Sequence, residues 1–165
     1  KVWLIYEDDA GEWQAKAVAD IGDASKIPLP VDISISADDN HLWINTWNDG
    51  LVRLYDISDP FAPTQVMEKQ IGEQVNMVSQ SWDGERVYFT SSLLASWDKT
   101  TASEGNDLQY FKLYNWDGES LTPEFNLDFI ELGLGAPHQM RFGAHALYGG
   151  TSAQSPSGLG TPPAH

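Results

Sequence analysis

The side chains here best suited to metal or acid–base chemistry are four histidines: His41, His138, His145 and His165. Imidazole titrates near neutral pH and is a natural ligand for Cu, Zn, Fe or Ni. His41 sits in a polar turn ahead of a strand and reads as a surface residue, and His165 is the final residue. His138 stands in Ala136-Pro137-His138-Gln139-Met140-Arg141-Phe142, where a new strand is expected to begin. His145 follows seven residues later. On a strand that odd spacing puts it on the opposite face from His138, so a shared site needs a bend in the chain. One histidine cannot hold a transition metal, and partners must come from elsewhere. The carboxylate pairs Asp8-Asp9 and Asp38-Asp39 lie in turn sequences. Paired-carboxylate catalysis needs the two groups to face each other across a cleft, so these read as turn formers. There is no Cys, which excludes thiolate nucleophiles and Cys-ligated zinc within this chain. Gly-rich phosphate loops, the Gly-x-Ser-x-Gly elbow and the His-Glu-x-x-His motif are also absent.

The elements that must position His138 come in repeats. Ser36-Ala37-Asp38-Asp39-Asn40-His41-Leu42-Trp43-Ile44-Asn45 is matched 45 residues later by Ser81-Trp82-Asp83-Gly84-Glu85-Arg86-Val87-Tyr88-Phe89-Thr90. A period of roughly 40–45 residues is that of one propeller blade of the WD40 type. Alternation and turn signals predict strands at 3–6, 13–20, 32–36, 42–47, 51–57, 64–71, 76–81, 86–91, 108–115 and 125–129. No stretch has a convincing helical period. An apolar-Tyr-polar triplet marks a third strand three times: Ile5-Tyr6-Glu7, Leu54-Tyr55-Asp56 and Leu113-Tyr114-Asn115. The last two copies stand 59 residues apart, 14 more than the repeat, and the excess falls in the polar segment Leu93–Asp107. Such an insertion is expected to be a functional or interface loop.

The chain therefore reads as all-β: the outer half of one blade, two whole blades, and the start of another near Pro137–Phe142. That is about three blades across residues 1–148. Closed propellers need roughly four to eight, so the ring must be completed by residues outside this chain or by another chain. A homo-oligomer is one such arrangement. The chain opens on strand-like Lys1-Val2-Trp3-Leu4-Ile5-Tyr6, which suggests a piece of a longer protein. Residues 149–165, rich in Gly, Ser and Pro, read as a tail. Asp32, Asn76 and His138 look like equivalent positions at the start of innermost strands, given a one-residue slip against the 45-residue period. Innermost strands line a propeller's central channel, and a ring of polar side chains there can coordinate a metal or bind a substrate.

Charge narrows the partners. With 24 Asp+Glu against 9 Lys+Arg, the net charge of −15 argues against nucleic acid and anionic membrane surfaces. No apolar run reaches the ~20 residues of a membrane-spanning helix. Seven Trp favour β structure.

With these segments in place, the chain resembles the C-terminal part of the selenium-binding protein family, whose bacterial members include methanethiol oxidases. Asp32-Ile33-Ser34-Ile35-Ser36 with Asp38-Asp39 and Leu42-Trp43 resembles the family's Asp-Ile-Leu-x-Ser-x-Asp-Asp block. Asn45-Thr46-Trp47 through Gly50, then Arg53-Leu54-Tyr55-Asp56-Ile57, resembles its Asn-Trp…Gly-Asp-x-Arg-Gln-Tyr-Asp-Ile block. Thr90-Ser91-Ser92-Leu93 with Ser96-Trp97-Asp98-Lys99 resembles Thr-Ser-Leu-Tyr-Ser-x-Trp-Asp-Lys, the most specific of the set. Pro137-His138-Gln139-Met140-Arg141-Phe142 resembles Ala-His-Glu-(Leu/Ile)-Arg-Tyr. Two departures stand out: Asp49 occupies a place where the family often has His, and the sequence after Phe142 follows a different course.

The resemblance implies a larger, seven-bladed ring. It also implies a copper-dependent oxidation of methanethiol by oxygen and water to formaldehyde, hydrogen sulfide and hydrogen peroxide. Copper ligands are expected to be histidines, with His138 the one matching position here and the remaining ligands outside this chain. The competing reading is a non-enzymatic propeller module that binds selenium, a thiol or a protein. Bacterial members of the oxidase type are exported, which implies a periplasmic location, although a cytoplasmic homologue would carry the same features.

Overall fold

The computed structural model describes residues 1–142. The expected tail, the end of the expected blade region, His145 and His165 lie outside the described residues. Ten strands form three antiparallel sheets. β1 (Val2–Glu7) and β2 (Trp13–Ala19) make a two-stranded sheet. β3 (Pro30–Ile35), β4 (His41–Thr46), β5 (Leu51–Asp56) and β6 (Thr64–Gln70) make a four-stranded meander. So do β7 (Val78–Gln80), β8 (Arg86–Thr90), β9 (Tyr110–Trp116) and β10 (Leu121–Asp128). The half blade and two whole blades expected from the repeat are thus present. Among the described residues no helix is long and apolar enough to cross a membrane.

The repeated turn explains the repeated sequence. In the first copy the Asp38 carboxylate accepts from the Ser36 hydroxyl and the Asn40 amide, and the Ser36 hydroxyl accepts from the His41 amide at 2.9 Å. In the second copy Asp83 accepts from the Ser81 hydroxyl and the Glu85 amide, and the Ser81 hydroxyl accepts from the Arg86 amide at 3.0 Å. These bonds, led by the serine hydroxyl, hold both carboxyls below the usual range. Asp8 serves its turn in the same way, taking the amides of Ala10 and Glu12. The acid pairs are accordingly turn formers.

The second strand of the first whole blade, β4, is covered on both faces. Along β4 the side chains alternate between two cores. Leu42 and Ile44 join Ile21 and Tyr55 on the side of the first sheet. Trp43 points the other way, into a cluster with Val52, Leu54, Val78, Val87, Phe89 and Tyr114 that unites the two whole blades. An edge-to-face contact of Trp43 with Trp116, 5.2 Å between ring centres, crosses that seam, and Phe89 meets Tyr114 of the neighbouring strand in the same way at 5.6 Å. This sandwiching is why β4 reads as nearly continuous burial rather than the half-buried alternation of a surface sheet.

Three elements differ from the sequence expectation. β7 is only Val78–Gln80, because Asn76 and Met77 both face Thr90: the Asn76 amide donates to the Thr90 carbonyl and the Thr90 amide to the Met77 carbonyl. That two-against-one pairing is a bulge and shortens the regular ladder. β10 begins at Leu121 rather than Phe125. Pro123 is tolerated there because β10 is an edge strand and its register shifts between Pro123 and Phe125. A three-residue 3₁₀ turn, Ala24–Lys26, is capped by Asp23. It is too short to show a period.

Gly50 is required at its turn. Its φ is +63°, and a Cβ there would lie 1.9 Å from the Gly72 carbonyl oxygen. Nearby Arg53 is buried and ion-paired to Asp49 and Glu68, each at 2.8 Å. Asp49, the position where a family histidine was expected, is therefore the counter-ion of Arg53.

Phe89 is fully buried at the seam. Phe89→Ala is expected to lower the free energy of unfolding by roughly 3–5 kcal/mol, which chemical denaturation followed by tryptophan fluorescence will measure.

Candidate functional site

In an antiparallel meander successive connections alternate between the two ends of the sheet. The connection from β8 to β9 and the chain leading into each first strand therefore emerge at the same end. The inserted segment and His138 share that end, and hydrogen bonds join them. The Lys99 amide donates to Gln74 Oε1 at 2.9 Å, Gln74 Nε2 donates to the Leu108 carbonyl at 2.9 Å, and Lys99 Nζ reaches the Glu73 carbonyl at 2.7 Å. The insertion is thus fastened to the linker that precedes β7.

The Thr-Ser-Ser-Leu…Ser-Trp-Asp-Lys stretch folds around one carboxylate. Asp98 accepts from the Ser92 hydroxyl at 2.6 Å and from the amides of Leu93 and Leu94 at 2.8 and 3.2 Å. Ser92, buried itself, turns its backbone toward the chain after β10. Its amide donates to the Pro137 carbonyl at 3.0 Å, and its carbonyl lies 3.0 Å from His138 Nδ1. The Thr90 hydroxyl donates to the His138 carbonyl at 2.6 Å. His138 is thereby held by main chain and ring to the end of β8, with its side chain exposed.

Two of the three residues singled out from the sequence meet directly. Asn76 is fully buried, its Nδ2 donates to the same Ser92 carbonyl, and it stands 3.2 Å from His138 Nδ1. Nδ1 lies between the Ser92 carbonyl, which only accepts, at 3.0 Å and the Asn76 amide nitrogen, which only donates, at 3.2 Å. The shorter contact, with Asn76 already donating to that carbonyl, assigns the proton to Nδ1, and Nε2 has no hydrogen-bond partner among the described residues. Asp32 is half-buried in β3, and its carboxylate accepts from the Val78 amide at 2.8 Å, two residues from Asn76. The pairing register makes Asp32 oppose Asn45, while Thr90, the counterpart of Asn45, takes both Asn76 and Met77. The register of β3 also shifts, between Pro30 and Asp32, so both first strands bulge at this place, and by register Met77 rather than Asn76 is the counterpart of Asp32. Asn45 extends the line: its Nδ2 donates to the Asn76 carbonyl at 2.8 Å.

Ser92, Asp98 and Asn45 were not picked out as site residues. Asp98 and Ser92 lay inside the most specific motif, and that was the available signal; for Asn45 the signal was its place in the repeat and at the head of the Asn45-Thr46-Trp47 block. His41 lies at the opposite end, against Asp38, beside a cleft rimmed by the Ser-x-Asp turns. Among the described residues no three His, Cys, Asp or Glu side chains converge well enough to hold a metal ion. His138 is a single prepared nitrogen donor, suited to be one ligand of a site completed from elsewhere.

Burial pushes the Asp32 carboxyl above its usual range, against the opposing pull of the Val78 and Ile33 amides and of nearby His138. A raised carboxyl stabilises the fold below its unfolded pKa and loses that contribution as pH rises through the folded value. Asp32→Asn keeps the acceptor for Val78 without the charge. Thermal melts from pH 3 to 7 are expected to show the variant gaining on the parent as pH rises; an unchanged difference would remove burial as the cause.

Comparison with known proteins follows the geometry. The model of the family described as "56kDa selenium binding protein (SBP56)" matches residues 1–152. A methanethiol oxidase of Ruegeria pomeroyi is 67% identical over 148 residues, covering 90% of this chain and 33% of that protein. One from a Hyphomicrobium species is 59% identical over 142 residues, covering 86% and 32%. The chain thus spans about a third of the length of these curated relatives. A crystal structure of a hypothetical selenium-binding protein from Sulfolobus tokodaii superimposes with a TM-score of 0.62 at 28% identity, over 77% of this chain and 34% of that one. The β-propeller domain of Cps50 (Swd1) from Myceliophthora thermophila, at 12% identity and a TM-score of 0.54 over 78% of this chain and 38% of that one, shares the fold alone. With a family model matched over nearly its whole length, the chain belongs to the 56 kDa selenium-binding protein family.

Proposed function

We propose that this chain forms the C-terminal part of the propeller of a copper-dependent methanethiol oxidase. The reaction is CH₃SH + O₂ + H₂O → CH₂O + H₂S + H₂O₂. The observation that carries the reading is 67% identity over 148 residues to a methanethiol oxidase. The arrangement around His138 supports it. Histidine ligands commonly give one ring N–H to a carbonyl or carboxylate, which fixes the tautomer and aims the other nitrogen at the metal. His138 has that arrangement, with Nδ1 on the Ser92 carbonyl. Copper, when bound, would supply one-electron chemistry between the thiol and oxygen. The part of this chain is to present Nε2 and to hold the ring still. Asp32 would place negative charge beside the site. The remaining ligands and the remaining blades come from outside the described residues. A periplasmic location belongs to the same proposal and rests on the likeness to exported bacterial oxidases.

The full-length protein that contains this segment, with its remaining blades, is expected to hold copper in stoichiometric amount and to release hydrogen peroxide from methanethiol. His138→Ala is expected to lose both with its circular dichroism unchanged. A well-folded, copper-loaded protein that releases no peroxide would overturn the oxidase and favour a thiol- or selenium-binding module.

A further inference from the structure

Asp98 is almost fully buried and carries a carboxylate, which is costly unless every lone pair is used. Its partners all belong to one short stretch: the Ser92 hydroxyl and the amides of Leu93 and Leu94. The carboxylate therefore fixes the local path of Ser92 and little else. Ser92 in turn uses both of its main-chain groups on the next segment, its amide on the Pro137 carbonyl and its carbonyl on the His138 ring. Asn76 donates to that same carbonyl. A loop needing only local stability would have no reason to spend both groups of one residue across the seam. We infer that Asp98 is a positioning residue for the His138 imidazole, acting through Ser92 to hold Nδ1 as the N–H and leave Nε2 as the free donor.

The inference rests on the reading of His138 as a metal ligand, but its first test does not. In metal-free full-length protein labelled with ¹⁵N at histidine, ring nitrogen shifts report the tautomer directly. The parent is expected to show His138 protonated at Nδ1. Asp98→Ala removes all three bonds and is expected to give a mixture of tautomers. Asp98→Asn keeps two acceptor contacts and can donate to the Ser92 hydroxyl, so it should match the parent. Ser92→Ala removes only the hydroxyl, leaves the carbonyl in place, and is expected to shift the mixture partway; it carries the test if Asp98→Ala fails to fold. Copper titration gives the second readout. Loss of such an outer partner typically weakens metal binding 10–100-fold, and that loss is expected for Asp98→Ala with near-parental affinity for Asp98→Asn. A folded Asp98→Ala with the parental tautomer and copper affinity would overturn the inference, as would Asp98→Asn falling as far as Asp98→Ala. If the parent binds no copper, the ligand reading fails while the tautomer comparison still decides the role of Asp98.

Discussion

Face-to-face stacking of blades is the constraint on which the rest of this molecule depends. A four-stranded sheet whose central strands are apolar on both sides must be covered on both sides. β4 shows the consequence, with Ile44 committed to one neighbour and Trp43 to the other. Once blades stack in this way, their first strands are brought side by side at one edge. Polar groups there are partly shielded from water and must find partners across the seam. Val78 finds the Asp32 carboxylate, Gln80 finds Ser34, and Ser79 finds the Met140 carbonyl. The candidate site is a special case of this general pairing, in which one of the partners is an imidazole.

The inserted segment between β8 and β9 alters what the seam can do. In the preceding blade the corresponding connection is a tight turn through Gly50. In the next blade it is long enough to fold around Asp98 and to lean on Glu73 and Gln74. It thereby converts the end of β8 into a rigid support for the chain after β10. Placing such a support on a strand end, rather than on a free loop, is how a fold holds a ligand to a narrow geometry.

Much of this was legible beforehand, for identifiable reasons. The serine and aspartate of each turn recur because each turn needs the same bonds, so Ser36 and Ser81 announced the repeat. The apolar-Tyr-polar triplets marked β1, β5 and β9 for a similar reason. The insertion was visible as a surplus in spacing. What escaped was set by main-chain geometry. The bulge at Asn76-Met77 is a property of pairing with Thr90, and composition does not encode it. The role of Ser92 is played by its amide and carbonyl, groups that every non-proline residue possesses. Asp98 was inside a quoted motif, yet its lone pairs could be assigned only once Leu93 and Leu94 were seen to turn toward it.

The two ends of the row of blades are unlike. One presents Trp3, Ile5 and Trp13 from the first sheet. The other presents an aromatic tier in which Phe111 stacks on Tyr88 and meets Phe125. Unlike faces add head to tail, and head-to-tail addition has two geometric outcomes. If the rotation between successive units closes, the result is a finite ring with every face covered. If it does not, the same contacts propagate into a filament. The step between the blades described here therefore governs more than the shape of a channel: it separates a bounded, dissolved particle from an open-ended assembly.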